Sequence, residues 1–277
     1  MIRIITDSGS DIEQNEFDNL LVQPLKVTIG DKTYLDGVDM SKNEFFVMLE
    51  ESDVLPSTSQ ATPFDFEQMY QKVKDENDEA IVLPISSGVS GTCQSAMIAA
   101  KQFDNISVVD TKNVCHGQAL LVMRALELVK KGLNRQEIVD ILEEEKGKIR
   151  FFAIVDTLKY LEKGGRLSKG AAVVGGLIGI KPILAIEEGA LVAKEKARGS
   201  KSAYARMADI VANDDVDTDR PVIMAYSGTT DRKLQQFKND NLDKLQKVMP
   251  AVIEKQIGTA VGTHAGPDTV VVTYFTK

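Results

Sequence analysis

Ala80-Ile81-Val82-Leu83-Pro84-Ile85-Ser86-Ser87-Gly88-Val89-Ser90-Gly91-Thr92-Cys93 is the stretch on which the fold turns. The short apolar run Ala80–Ile85, bounded by a polar turn, reads as a buried strand. Ser86–Thr92, rich in hydroxyls and glycine, breaks it, and a helix follows over Cys93–Phe103. Ile106–Val109 is the next strand, and after Asp110-Thr111 a further helix runs to Lys131. Strand, polar turn, helix, strand is the grammar of a parallel sheet with crossover helices. Upstream, Arg3–Ile5 is a β-rich run ending in Asp7-Ser8-Gly9-Ser10-Asp11, and polar, helix-like sequence follows. Leu25–Ile29 reads as strand and Gly30-Asp31-Lys32 as a hairpin-like turn. Ser41 and Glu44 form a capping box that opens a helix through Leu49. Thr62-Pro63-Phe64-Asp65 opens another, with Phe66, Met69, Tyr70 and Val73 at helical spacing. Ligands of open sheets sit beyond the carboxyl ends of the strands, so Asp7, Ser90 and Asp110 are expected along one edge.

Near Lys148 the pattern changes. Phe151–Val155 is a strand, Thr157–Lys163 a short helix, and Lys163-Gly164-Gly165-Arg166-Leu167 a sharp turn. The apolar, glycine-studded Ala171–Ile180 precedes Lys181-Pro182 and the strand Ile183–Ile186. Glu187-Glu188-Gly189-Ala190 reads as a hairpin turn into Leu191–Ala193. The helix Ser200–Ala212, strand Val222–Ala225, helix Asp231–Val248, strand Val252–Ile257 and strand Thr269–Thr273 follow. The expected fold is α/β with two domains. Residues 1–150 carry a parallel sheet flanked by helices, and residues 151–277 carry a mixed or antiparallel sheet with helices.

The 277 residues carry 33 basic and 41 acidic side chains, a net charge of −8. That balance argues against nucleic acid, whose phosphates need a basic surface. Any anion bound here is held by a local constellation. Cys93 and Cys115 suggest no disulfide framework, and both read as small buried hydrophobes. Cys115-His116 has no ligand-spaced partner and the chain has two histidines, so no metal site is expected. Met1–Asp7 enters a strand directly, without the pattern of a signal peptide, and the uncharged run Gly170–Ile180 is too short to span a bilayer. A cytoplasmic location is the expectation.

Three segments could converge on an anionic head group: Pro56-Ser57-Thr58-Ser59-Gln60, Ser86–Thr92, and Gly262-Thr263-His264-Ala265-Gly266-Pro267. The other reading is three ordinary turns, since Gly, Pro and Ser dominate turns. Gly170–Gly175 has the outer spacing of a P-loop, but Gly176 and Leu177 stand where Lys and Ser/Thr are required. Gly175, Gly176 and Gly179 also miss the dinucleotide fingerprint. Gly88-Val89-Ser90-Gly91-Thr92 falls one residue short of a nucleophile elbow. A hydrolase or acyltransferase using Ser90 and His264, oriented by Asp7 or Asp110, stays open on sequence grounds. His116 has no assigned role.

Five segments in order resemble the serial motifs of the DegV family: Ile5-Thr6-Asp7-Ser8, Thr58-Ser59-Gln60-Ala61-Thr62-Pro63, Ser86–Ala96, Asp156–Arg166 and Gly262–Pro267. The resemblance implies a two-domain α/β protein that buries a long-chain fatty acid between its domains and has no catalytic residues or cofactor of its own. A separate ATP-binding fatty acid kinase subunit would phosphorylate the bound carboxylate, for phospholipid synthesis in bacteria, with transient membrane contact. On this resemblance Thr58 and Ser90 match the hydroxyls that hold the carboxylate, and His264 matches a histidine near the head group. Arg198 matches a basic position used towards the kinase. The segment around it, Lys194 to Lys201, is a local basic exception in an acidic chain. A lipid sensor without a kinase partner is a further reading. The chain departs from the family pattern at Ala61, where proline is usual, at Cys93, where tyrosine is usual, and at Asp268, where glycine is usual. Asp268 brings a negative charge close to His264, which raises the pKa of the ring, orients it, or faces solvent.

The physical chemistry fits such a ligand. A carboxylate buried without partners costs several kcal/mol. Two hydroxyls, N–H groups at a helix start and one imidazole can compensate it. At ~0.8 kcal/mol per buried CH₂, a chain of ~16 carbons gains on the order of 10 kcal/mol before association entropy. Ala171–Ile180 and Ile183–Ile186 are expected as apolar walls.

Overall fold

Strands β1 (Ile2–Asp7), β2 (Leu20–Gln23), β3 (Lys26–Ile29), β4 (Lys32–Leu35), β5 (Ser57–Ser59), β6 (Glu79–Leu83) and β7 (Ile106–Val108) build the first half. Helices α1 (Lys42–Glu51), α2 (Pro63–Asp75), α3 (Thr92–Ala100), α4 (Cys115–Lys130) and α5 (Arg135–Glu145) lie among them. The computed structural model describes residues 1–52, 54–167 and 179–277. β2, β1, β6 and β7 form a parallel sheet in that order, as the strand–turn–helix grammar requires. A small antiparallel sheet, β4-β3-β5, stands beside it. Capping boxes start α1 at Ser41, α2 at Thr62 and α5 at Asn134. The stretch after Asp11 is not helical. Asp11 and Asn15 hold φ of 59° and 68°, left-handed values that stop an α-helix, and β2 follows. The segment expected as a turn at Pro56–Gln60 contains β5, which pairs Thr58 with Val27.

The second sheet begins at Ile149. Its strands are β8 (Ile149–Ile154), β9 (Ile180–Glu187), β10 (Ala190–Arg198), β11 (Val222–Tyr226), β12 (Val252–Gln256) and β13 (Val270–Phe275). Its helices are α6 (Lys159–Lys163), α7 (Gly199–Asn213), α8 (Arg232–Asp240), α9 (Leu242–Leu245) and α10 (Thr259–Ala265). The order is β10-β9-β8-β13-β11-β12, antiparallel except for the parallel pair β11/β12. The sheet is mixed. The helix expected over Asp231–Val248 breaks at Asn241, whose side-chain amide donates to Phe237 O at 2.8 Å and ends α8. β9 and β10 run longer than their apolar cores. The stretch with P-loop spacing and most of the expected apolar wall Ala171–Ile180 lie outside the described residues. Among the described residues, no helix is long and apolar enough to cross a membrane.

Strand periodicity divides the second sheet between two cores. Phe152 and Ile154 of β8, Ile183 and Ala185 of β9, and Val270 and Val272 of β13 pack with Tyr204 and Met207 of α7. Phe151, Ala153, Val155, Leu184 and Val271, one residue out of step, face the opposite way. That second face looks towards the first half.

Buried polar contacts tie the halves together. Ser86 Oγ donates to Gly189 O at 2.7 Å, docking the β6–α3 loop on the β9–β10 hairpin. Glu145 of α5 takes paired bonds from Arg124 of α4 and from Arg220 before β11, at 2.8–3.1 Å. Asp36, which is buried, accepts from Thr259 Oγ1 at 2.7 Å and from the Thr259 and Ala260 N–H groups at 3.3 Å. A carboxylate of the first half therefore caps α10 of the second.

Candidate functional site

Between the second sheet and the first half lies a cavity of about 900 Å³, its open mouth included. Its walls are apolar. Phe151, Ala153, Val155, Leu184, Ile186 and Val271 come from the sheet face that strand alternation turns inward. Leu25, Ile85, Val89 and Val114 close it from the first half.

Polar side chains enter it from four separate segments. β5 presents Thr58, the β6–α3 loop Ser90, the turn after α6 Arg166, and α10 His264. Thr58 Oγ1 and His264 Nε2 share a hydrogen bond of 2.8 Å. Ser90 Oγ lies 3.0 Å from Thr92 Oγ1 and accepts from the Thr92 N–H at 3.2 Å. Gln60, two residues past Thr58, reaches Ser95 of α3 through its side-chain amide at 3.0 Å. That bond ties β5 to the loop carrying Ser90. Arg166 Nε donates to Val89 O at 3.3 Å, so the guanidinium is held against the same loop. A Cβ on Gly164 would sit 2.1 Å from His264 Nδ1, so only glycine lets this turn close over the ring.

Burial, with the Arg166 charge beside it, pushes His264 down to about 4. The ring is neutral at pH 7, and the fixed positive charge is that of Arg166. One polar end on a long apolar cavity suits an amphiphile with a small anionic head.

The structure brings Thr58, Ser90 and His264 to one cavity, as the sequence-derived convergence anticipates. Their convergence needs α10, which the sequence reading took as a turn. Gly262 belongs to that helix because a Cβ there would meet Phe46 Cζ at 2.8 Å and Phe45 Cε1 at 3.1 Å. Arg198 is not part of the group. It is exposed at the end of β10, where α7 begins. Of its basic neighbours, Lys194 pairs with Glu187 at 2.5 Å and Arg206 with Glu195 at 2.6 Å. Arg166, which closes the Asp156–Arg166 segment, is a functional residue that the sequence does not single out. A lone arginine after two glycines carries no signal until the fold aims it.

The hydrolase constellation is not assembled. Ser90 pairs with Thr92 and His264 with Thr58, not with each other. Asp7 is committed to the Ile85 N–H at 2.7 Å and the Gly9 N–H at 2.9 Å, and burial pushes it up to about 6. Asp110 takes bonds from Ser87 and Lys112. Burial works against it, but those bonds hold its carboxyl below the ordinary range. His264 Nδ1 has no hydrogen-bond partner among the described residues, so no carboxylate orients the ring. Asp268 lies 4.0 Å from Arg232, and the pKa of His264 moves down, not up. Ala61 and Cys93 are fully packed, and burial pushes the Cys93 thiol up to about 12.

The DegV family model, which describes a family of uncharacterised proteins, matches residues 1–277. The chain belongs to the DegV family. A DegV domain-containing protein of Caldanaerobacter subterraneus subsp. tengcongensis is 36% identical over 274 residues, 96% of each chain. The crystal structure of a fatty acid binding DegV family protein from Streptococcus agalactiae superposes with a TM-score of 0.88 at 27% identity, covering 100% of this chain and 99% of that one. A DegV family protein from Thermus thermophilus, described for its fatty acid binding, superposes with a TM-score of 0.84 at 30% identity, covering 99% of both. The DegV fold thus extends over the whole chain.

Proposed function

We propose that this DegV protein binds a long-chain fatty acid in the cavity and presents its carboxylate to a separate ATP-dependent kinase subunit, which makes the acyl phosphate. Residues 1–150 and 151–277 act as the two domains that enclose the lipid. One observation carries the binding half of this reading: a largely apolar cavity into which the Thr58 and Ser90 hydroxyls, the neutral His264 imidazole and the Arg166 guanidinium project among its polar groups. The chain length supplies affinity and the polar end supplies orientation. The fatty acid binding of the Streptococcus and Thermus relatives supports it. Solvent extraction and mass spectrometry of protein purified from bacteria should release a fatty acid. Absence of lipid, together with no binding of added palmitate or oleate, would sink the reading.

The presentation half rests on the exposed Arg198 and the basic residues around it, placed where a phosphate-carrying partner can reach them. Arg198→Ala should keep bound lipid and lose acyl-phosphate formation when kinase subunit and ATP are added. Lipid binding without any acyl phosphate from the parent protein would favour a lipid sensor. Full turnover by Arg198→Ala would return that cluster to ordinary solvated surface.

A further inference from the structure

Away from Thr58 and His264, Asp11, Cys115 and His116 form a second buried group. Asp11 ends the turn after β1, and Cys115 and His116 start α4. Cys115 Sγ lies 2.9 Å from Asp11 Oδ2 and 3.1 Å from His116 Nδ1, and those two atoms are 3.7 Å apart. Packing alone does not account for two of its features. Asp11 and Cys115 both hold left-handed backbone, at φ 59° and 53°, which non-glycine residues rarely adopt. Asp11 Oδ1, on the carboxyl that faces the thiol, is also buried without a hydrogen-bond partner among the described residues. A buried carboxylate whose side-chain donor is one weak thiol is poorly compensated.

We propose that Asp11, Cys115 Sγ and His116 Nδ1 are three ligands of a zinc-like divalent cation. A tetrahedral ion with bonds of ~2.0–2.3 Å spaces its ligand atoms ~3.3–3.8 Å apart, so on binding each pair shifts by roughly half an ångström from the spacing seen. One sulfur, one imidazole nitrogen and one carboxylate oxygen suit Zn²⁺ or Co²⁺, whereas Mg²⁺ and Ca²⁺ prefer oxygen alone. On binding, the Cys115 S–H bond breaks, its proton leaves to solvent, and the sulfur lone pair forms the metal bond. Thiolate and carboxylate together then match the double charge of the ion.

The group stands between two spaces. Cys115 lines the apolar cavity, and Asp11 lines a polar cleft with Glu13, Glu16, Lys42 and Glu254. The nearby Lys42 ammonium is engaged elsewhere, 3.4 Å from Glu13 and 3.3 Å from Asp11 O and Gln256 O. The Lys42 charge, close by, still favours the ionised carboxylate of Asp11.

The test is titration of the intact, reduced protein with Co²⁺ under argon. One equivalent should bind, with a thiolate-to-cobalt charge-transfer band and the strong visible bands of tetrahedral Co²⁺, and Zn²⁺ should bleach both. Cys115→Ser and His116→Gln should each remove the sulfur band or weaken Zn²⁺ at least tenfold in competition with a chromophoric chelator. Cys93→Ser should change neither. Asp11→Asn, nearly isosteric, should also weaken Zn²⁺ at least tenfold while keeping the parent circular dichroism. A parent spectrum without a sulfur band overturns the proposal whatever the variants do. So does Zn²⁺ affinity unchanged in Cys115→Ser and His116→Gln.

Discussion

On the proposed reading Thr58, Ser90 and His264 each give the carboxylate one hydrogen bond, with Thr58 and His264 positioned by one another and Ser90 by Thr92. Replacing any one with alanine should weaken palmitate binding about ten- to hundredfold, the equivalent of roughly 1.5–3 kcal/mol for a bond to a charged group. Competition with a fluorescent fatty acid measures it, and unchanged affinity in all three variants removes this end of the cavity from consideration. The histidine also carries a pH signature. Its pKa falls from 6.5 in the unfolded chain to about 4 in the fold, so between those values the unfolded chain binds the extra proton. The stability contributed by the neutral ring is complete above pH 6.5 and is lost as pH falls towards 4. Urea unfolding from pH 7 to 4 should show this loss, reduced in His264→Asn. The chain has two histidines, and burial pushes His116 lower still, to about 3. Nitrogen-detected imidazole spectra should therefore show both rings neutral at pH 6, and a His264 signal titrating near its unfolded value would contradict the burial argument.

α10 is the element on which the polar end depends. It has seven residues, too few to persist by local propensity, and it is held by the Asp36 cap and by packing on α1. Asp36→Ala should cost about 1–2 kcal/mol of stability and reduce palmitate affinity, because His264 leaves its place opposite Thr58. Equal affinity alongside reduced stability would separate α10 from the ligand. This helix also shows why part of the site escaped the sequence. Gly258, Gly262 and Gly266 read as turn formers, while the cap that offsets their poor helix propensity stands more than two hundred positions away. The parallel sheet was legible because Ala80–Ile85, Ser86–Thr92 and the helix after them carry local signals of period and composition. β5 was not, because Ser57-Thr58-Ser59 becomes a strand only through its pairing with β3. The Asp11–Cys115–His116 group was hidden for the same reason, since its first member is 104 residues from its second.

Across the whole molecule, the Arg124–Glu145–Arg220 clamp fastens α4 and α5 to the second sheet. Burial alone would push Glu145 up, but its bonds to Arg220 and Arg124 hold it below the ordinary carboxylate range. A depressed folded pKa contributes stability that is present above the unfolded value and lost as pH falls through the folded one. Glu145→Gln should cost roughly 1.5–3 kcal/mol at pH 7 and flatten the acid limb of stability below pH ~4.5, by urea unfolding. A variant as stable as the parent would make the clamp ornamental. β13 has a different consequence, one for biosynthesis. It lies between β8 and β11, although both leave the ribosome before it. At ~5–20 residues per second, the β9–β10 hairpin waits on the order of 4–15 seconds for Val270–Phe275 to be made. Until then β8 is an unpaired edge strand, with its hydrogen-bonding groups open to water. Translation must pass Val271 before the cavity gains the wall that β13 gives it, so on the proposed reading a lipid is enclosed only after that point of synthesis.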